Sequence, residues 1–391
     1  MEAISKCEVC GGSDLASVLD LGMHPLCDDL VPFDSRRTCK EYPIEILFCS
    51  TCNTAHQKFQ VPKAELFTKD YHYRARMTGS VLVGMSDLVD SCEKKFGNLI
   101  GKQVLDIGCN DGSLLNFFAA KGCRTMGVEP TGAAAESKHQ TINAFFDREV
   151  AQSVLDHNGC PDFITFTNVF AHIEHLQELL ANLKMLIGKN TVIVIENHYL
   201  GDIFKRGQFD TFYHEHPRTY SLKSFEFIAA TLGLNIFAVE FVSRYGGNIR
   251  VFIGNGPPAR TDVDESQFSS LFAKMRLDLR DWRQKTRQMI ENYVREHGKI
   301  RAKAFPGRAA ILIKLLQLDE RHISAVYEIK GSIKVGHFVP GTRIPILPEA
   351  EMFQLDKTQP VLNLAWHIPA EVRANLESHG YVGNVIDIKS T

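Results

Sequence analysis

A phenol, two imidazoles and a carboxylate fall in four consecutive residues, Tyr213-His214-Glu215-His216. Imidazoles and carboxylates move protons near neutral pH, and a phenol can donate a hydrogen bond to a developing oxyanion. The same run also admits a metal site, although it lacks the i, i+4 spacing of a helical His-Glu-x-x-His motif. In a strand, Tyr213 and Glu215 share one face while His214 and His216 share the other; a loop or turn relaxes that limit. Which chemistry results depends on the elements that surround and aim these groups.

Upstream, Val104 to Ile107 reads as a buried strand, Gly108 and Gly112 bracket a tight turn, and Leu114 to Ala120 reads as a helix. Glycines there let the backbone approach a ligand closely. A second strand through Gly127-Val128 ends at Glu129, where a carboxylate can take both ribose hydroxyls. A dinucleotide fold needs a third glycine under the pyrophosphate, whereas here Asp106 and Asp111 flank the loop. Two acids repel a pyrophosphate and suit a ligand bearing an amine and a sulfonium. The loop therefore predicts S-adenosylmethionine, held by Asp106, Gly108, Asn110, Asp111, Gly112, Glu129, Pro130 and Asn168.

Asp162 to Thr167 and Thr191 to Ile195 continue the strands, with an amphipathic stretch from Ile173 to Ile187 between them. Alternating strand and helix patterns predict a doubly wound parallel sheet whose ligands sit at the strand C-termini. Asp106, Glu129, Asn168 to His172 and Glu196 all fall at such termini, so they are expected to rim one cleft.

Cys7-x-x-Cys10 and Cys49-x-x-Cys52 form two hooks, each followed by Gly or Asn, residues that tolerate a left-handed turn. Four thiolates close a tetrahedral structural zinc site with no open position. Cys27, Cys39, Cys92, Cys109, Cys123 and Cys160 lack such pairing and are expected to pack as small apolar residues.

Apolar residues make up 44% of the 391 and charged ones 23%, with a formal net charge of −2. That balance fits a globular chain and gives no bulk attraction to nucleic acid. No signal-peptide core and no run near the ~20 apolar residues of a membrane span are visible, so a cytoplasmic monomer with no membrane partner is expected.

The order of these motifs, with Asn168-Val-x-Ala-His172, Tyr213-His-Glu-His216, Gly246-Gly247-x-x-Arg250, Pro340-Gly341-Thr342 and Leu364-Ala-Trp366, resembles the S-adenosylmethionine-dependent sugar C-methyltransferases. These add a carbon branch at C-3′ of a nucleotide-linked 4-keto-6-deoxy sugar. The resemblance implies an α/β chain: a zinc-binding lobe (1–75), a Rossmann-like methyltransferase domain (76–258), a connecting helix (259–298) and a C-terminal α/β domain (299–391) that completes the nucleotide site. It also implies that His172, Tyr213, Glu215 and His216 line the sugar, with a tyrosine from Asp70-Tyr71-His72-Tyr73. Asn168, Arg250, Arg308 and Lys334 join the expected substrate contacts. Around Tyr71 the family's serines give way to Arg74-Ala75-Arg76, and its C-terminal motifs are replaced by Ala304-Phe-Pro306-Gly307-Arg308 and Glu328-Ile-Lys-Gly-Ser-Ile-Lys334.

Methylation beside a ketone needs a base over C-3′ and donors toward the C-4′ oxygen. His216 is the expected base, held or tuned by Glu215, while Tyr213 and His172 steady the enolate oxygen or sugar hydroxyls. His214 is expected to satisfy a buried polar contact, and His72, His175 and His198 to be ordinary structural histidines. Arg250 is expected to bind a phosphate or lock a carboxylate. Two other readings keep the same motifs: methylation of a hydroxyl on a sugar or small molecule, and a non-catalytic sugar-nucleotide or zinc-dependent binding protein.

Overall fold

The computed structural model describes residues 1–68, 71 and 73–389, with the Tyr245 side chain left out. Asp70 and His72 of the expected tyrosine segment lie outside them. The chain divides into two compact units: 1–17, 46–203 and 215–269 form the first, and 18–45, 204–214 and 270–391 the second. These units interleave in sequence and do not follow the linear boundaries at 75, 258 and 298. One division falls inside the proton-active run, between His214 and Glu215.

The first unit is built on a seven-stranded sheet. Its strands are β1 (Gln103–Ile107), β2 (Arg124–Val128), β3 (Gln140–Ile142), β4 (Phe163–Thr167), β5 (Val192–His198), β6 (Asn235–Val242) and β7 (Asn248–Gly254), in the spatial order β6-β7-β5-β4-β1-β2-β3. The pairs from β5 to β3 are parallel, and β7 runs antiparallel to both β5 and β6. This is a Rossmann-like sheet. The order reverses between β1 and β4, where an open α/β sheet leaves its ligand crevice. Continuous apolar runs such as Val192–Ile195 are fully buried, as strands covered on both faces must be. Helix α1 (Gly79–Phe96) turns Met85, Leu88, Val89 and Cys92 inward, against a core that includes Leu114, Phe118 and Phe163.

β6 and β7 form an antiparallel hairpin at the edge of the sheet, with β6 outermost. A 3-10 turn, Phe170–His172, follows β4, and the amphipathic stretch expected at 173–187 holds α2 (Leu176–Leu186). In the N-terminal region, Ile46 to Cys49 pair with the strand Thr54–Gln57, which pairs in turn with Arg218–Thr219.

The second unit carries a five-stranded parallel sheet of β8 (Ile300–Lys303), β9 (Ile323–Glu328), β10 (Ile346–Pro348), β11 (Val361–Asn363) and β12 (Val385–Asp387), in the order β10-β9-β8-β11-β12. Its central strand β8 escaped the sequence pattern because Arg301 and Lys303 interrupt a short apolar run. The connecting helix expected over 259–298 starts later and spans Phe268–His297. Among the described residues, no helix is long and apolar enough to cross a membrane.

Candidate active site

The two cysteine hooks meet as expected. Gly11 and Asn53 take left-handed φ values of 76° and 53° immediately after them. All four sulfurs of Cys7, Cys10, Cys49 and Cys52 lie within 4.8 Å of one another, with Cys7–Cys52 at 3.4 Å and Cys10–Cys49 at 3.6 Å. A tetrahedral zinc with bonds near 2.3 Å sets sulfurs about 3.8 Å apart, so this donor set fits a closed zinc site. Ser221 and Ser224 hydroxyls donate to the Cys52 carbonyl at 3.3 and 3.1 Å, anchoring the second hook.

Behind the sulfurs stands a chain that sequence reasoning missed. His56 Nε2 lies 3.3 Å from Cys7 Sγ, and its Nδ1 lies 3.5 Å from Glu8. The wholly buried Arg218 donates to Glu8 at 2.6 Å, to the Glu174 carbonyl at 3.2 Å and to the Tyr220 hydroxyl at 3.0 Å. Groups behind the ligands orient them. The available signal was weak: one His four residues past Cys52, and acids and bases far apart in sequence.

The donor loop follows β1. Gly108 has φ +75°, and a Cβ there would come within 2.6 Å of Val169. Asp106 is 3% exposed and accepts the Thr165 hydroxyl at 2.7 Å. Burial pushes its carboxyl up to about 7, the Thr165 hydrogen bond opposes that shift, and the nearby Glu129 charge adds to it. Glu129 accepts the Asn110 and Thr131 backbone N–H groups, both at 2.9 Å, and the Thr131 hydroxyl at 2.6 Å. Asp111 accepts the Ser113 hydroxyl at 2.6 Å and the Arg76 N–H at 3.1 Å. Asn168 sits at φ +56°, a conformation Asn tolerates; its N–H donates to the Glu196 carbonyl at 2.8 Å and its side-chain oxygen accepts from Asn248 at 2.9 Å. Gly112 closes the loop at φ +76° and Pro130 follows Glu129, partly exposed. Buried acids beside a permissive backbone fit a ligand with an ammonium and a ribose, the donor set S-adenosylmethionine requires.

At the neighbouring strand ends three imidazoles gather. His172 closes the Phe170–His172 turn, and its ring stacks on Phe67 at 5.3 Å and on His216 at 5.0 Å. His198 ends β5 with its ring 5.4 Å from that of His216. Burial pushes His172 down to about 4, so it is neutral near pH 7. The Tyr71 hydroxyl donates to Glu215 at 3.2 Å, and its ring meets Phe67 edge-on at 5.4 Å. His198 was expected to be an ordinary structural histidine and Phe67 was not singled out, because only the fold brings β5, the β4 turn and residue 216 together. The clamp on this arrangement is backbone: Gln57 N–H donates to the Pro217 carbonyl at 2.8 Å. Tyr73, the other expected tyrosine, places its carbonyl 3.1 Å from the Asn110 amide.

Arg250 and Glu196 face each other in the β7–β5 register, and Glu240 faces Arg250 from β6. Arg250 donates to Glu196 at 2.9 Å, Glu240 at 2.7 Å and Asp87 at 2.9 Å, and Arg244 and Asn248 also meet Glu196. Of its two expected roles, this geometry is that of the carboxylate lock, not of a phosphate contact.

Within the second unit, His214 is 3% exposed; its Nε2 lies 3.2 Å from the Tyr42 carbonyl, and burial pushes it down to about 4. Tyr213 is partly exposed. Arg308 pairs with Asp210 at 3.3 Å and lies 5.3 Å over the Trp366 ring, whose Nε1 donates to Asp210 at 2.9 Å. Lys389 covers the Trp366 ring at 4.0 Å. Lys334 donates to the Phe305 carbonyl at 2.7 Å.

Three family models match the chain: "Putative zinc binding domain" over residues 7–67, "Methyltransferase domain" over 79–239, and "C-methyltransferase C-terminal domain" over 259–385. C-methyltransferase NovU of Streptomyces niveus is 27% identical over 393 residues, covering 95% of this chain and 92% of that protein. Among solved structures, magnesium protoporphyrin IX methyltransferase of Synechocystis PCC 6803 is 18% identical with a TM-score of 0.33, covering 44% of this chain and 80% of that one. A methyltransferase of Clostridium acetobutylicum is 16% identical with a TM-score of 0.35, covering 44% and 91%. By its domains the chain is a methyltransferase, with a zinc-binding domain before the catalytic sheet and a C-methyltransferase C-terminal domain after it.

Proposed function

We propose that the protein transfers a methyl group from S-adenosylmethionine to C-3′ of a nucleotide-linked 4-keto-6-deoxy sugar, the nucleotide being dTDP or GDP. The observation that carries this reading is the imidazole cluster of His172, His216 and His198 beside the Tyr71–Glu215 pair. Such a cluster suits removal of a carbon-bound proton, which hydroxyl methylation does not need.

Bound at the loop after β1, the donor supplies an electrophilic methyl on a sulfonium. His216 takes the C-3′ proton, and charge passes to the C-4′ oxygen as an enolate. His172, kept neutral by burial, accepts or donates one hydrogen bond without adding charge. Glu215, anchored by Tyr71, favours the protonated form of His216 once the proton has moved. Tyr213 donates toward the enolate oxygen. Asp106 and Glu129 hold the donor's ammonium and ribose, with Gly108, Asn110, Asp111, Gly112, Pro130 and Asn168 shaping the loop. Tyr73 and Asn168 contact the sugar nucleotide. Arg308 is a substrate contact too: its Nη2 is buried without a hydrogen-bond partner among the described residues, which suits a diphosphate oxygen. Lys334 is assigned there with it.

The test is exchange of solvent deuterium into C-3′ of dTDP- and GDP-linked 4-keto-6-deoxy sugars, followed by NMR and mass analysis with donor added. Exchange without donor and a C-methyl product with it are expected. An O-methyl product without C-3′ exchange transfers the reading to hydroxyl methylation.

A further inference from the structure

One basic segment has no part in the reading above. Arg74 donates through Nη1 to the Tyr71 and Tyr73 carbonyls at 2.7 and 2.9 Å, and through Nε to Glu136 at 2.7 Å. Glu136 ends the turn Gly132–Glu136, capped by Thr131, whose own N–H and hydroxyl donate to Glu129. The next residues continue the connection. The Ala75 N–H donates to Asn110 at 2.9 Å, and the Arg76 N–H to Asp111 at 3.1 Å. Asn110 returns a bond to the Tyr73 carbonyl at 3.1 Å. The Arg76 guanidinium meets Asp111 at 3.4 Å and also pairs with Glu136.

Together these contacts join the donor loop and the turn after Glu129 to residues 73–76. Beyond Arg74, the Tyr71 hydroxyl donates to Glu215, the residue before His216. With side chains 19% and 34% exposed, the Arg74–Glu136 pair is screened by water and adds little stability. Its distinctive property is geometric: a planar fork can hold two carbonyls and a carboxylate at once, which a lysine point charge does poorly.

We propose that Arg74 is a positioning residue that ties the Tyr71–Glu215 pair to the turn after Glu129, and through that turn to the methyl-donor site, so that donor binding and the placement of the Tyr71 hydroxyl are coupled. The coupling rests on the donor reading of the loop; the tie itself does not. Linkage makes the effect mutual: loss of the tie weakens donor binding, and donor binding steadies the tie.

The test uses the full chain and its Arg74→Ala, Arg74→Lys and Glu136→Gln variants, with S-adenosylhomocysteine as the probe. Partial exposure of Arg74 lets each variant fold, which far-UV circular dichroism checks. Without ligand, Arg74→Ala should speed amide hydrogen exchange across residues 71–77 by about 10-fold, since the local opening cost falls. Unchanged exchange overturns the tie. With ligand, the intact chain should gain protection there, and Arg74→Ala should bind S-adenosylhomocysteine about 5-fold or more weakly by calorimetry. Arg74→Lys should recover part of the loss, and Glu136→Gln should lie between. Equal affinity and equal added protection in all four chains overturn the coupling alone. No heat of binding with the intact chain overturns the donor reading and the coupling with it.

Discussion

Around the donor loop, Asp106, Asp111 and Glu129 accept hydrogen bonds from Thr165, Ser113, Thr131 and backbone N–H groups. At the neighbouring strand ends, His172 and His216 are packed face to face, with Phe67 on the far side of His172. The first region fixes charge in place and keeps the backbone open. The second packs titratable rings against other rings, and burial keeps His172 neutral. The acids of the loop are thus fixed by hydrogen bonds, whereas the His172 ring is fixed by stacking on both Phe67 and His216.

Four perturbations test that contrast. The largest effect is expected from His216→Ala, which should lower turnover by about 10³-fold, within the usual range for a general base. Calorimetry should find S-adenosylhomocysteine affinity unchanged; a matching loss of affinity would merge the two regions into one. Next is Asp106, whose carboxyl lies near 7 in the folded chain and near 3.8 when exposed. The folded state therefore binds its proton more tightly. Its stability is full below about pH 4 and is lost as pH rises through about 7, by a few kcal/mol at most. In Asp106→Asn that slope should vanish from thermal melts taken between pH 4 and 8; the same slope in both proteins would place its origin elsewhere. Glu129→Ala should weaken S-adenosylhomocysteine by about 10-fold to 100-fold, roughly 1.5–3 kcal/mol for hydrogen bonds to a charged group, while C-3′ exchange without donor persists. Smallest is Tyr71→Phe: one hydrogen bond, about 1 kcal/mol and about 5-fold in turnover, read best as a shift in the pH profile of turnover.

The alternation of strand and helix made the sheet legible, because each turn at β1, β4 and β5 is marked by Gly, Asn or an acid. The four thiols were legible from local spacing alone. Arg250 shows what local reading cannot supply. Its partner Glu196 is 54 positions away, and only the β7–β5 register separates a carboxylate lock from a phosphate contact. His198 was similarly hidden, since nothing in Glu196-Asn197-His198 says that its ring reaches His216. His56 lies just past a noticed hook and Arg74 within a noticed segment, yet their value depends on partners distant in sequence. The boundary inside the Tyr213–His216 run had no sequence signal at all; it follows from the contacts each half makes.

The pairing of Thr54–Gln57 with Arg218–Thr219 also bears on how the molecule comes into being. Glu8 and Arg218 are 210 residues apart, so the bond between them closes one of the longest loops in the chain, and such closures come late and slowly. All four thiols are made more than 150 residues before Arg218, whereas the strand that pairs beside them waits for it. Metal capture can therefore precede that strand, and a loaded knuckle becomes the template on which the segment after His216 docks. In a cell short of zinc, the expected failure is then a newly made chain whose segment after His216 has nothing to dock against, rather than a finished protein that has lost its metal.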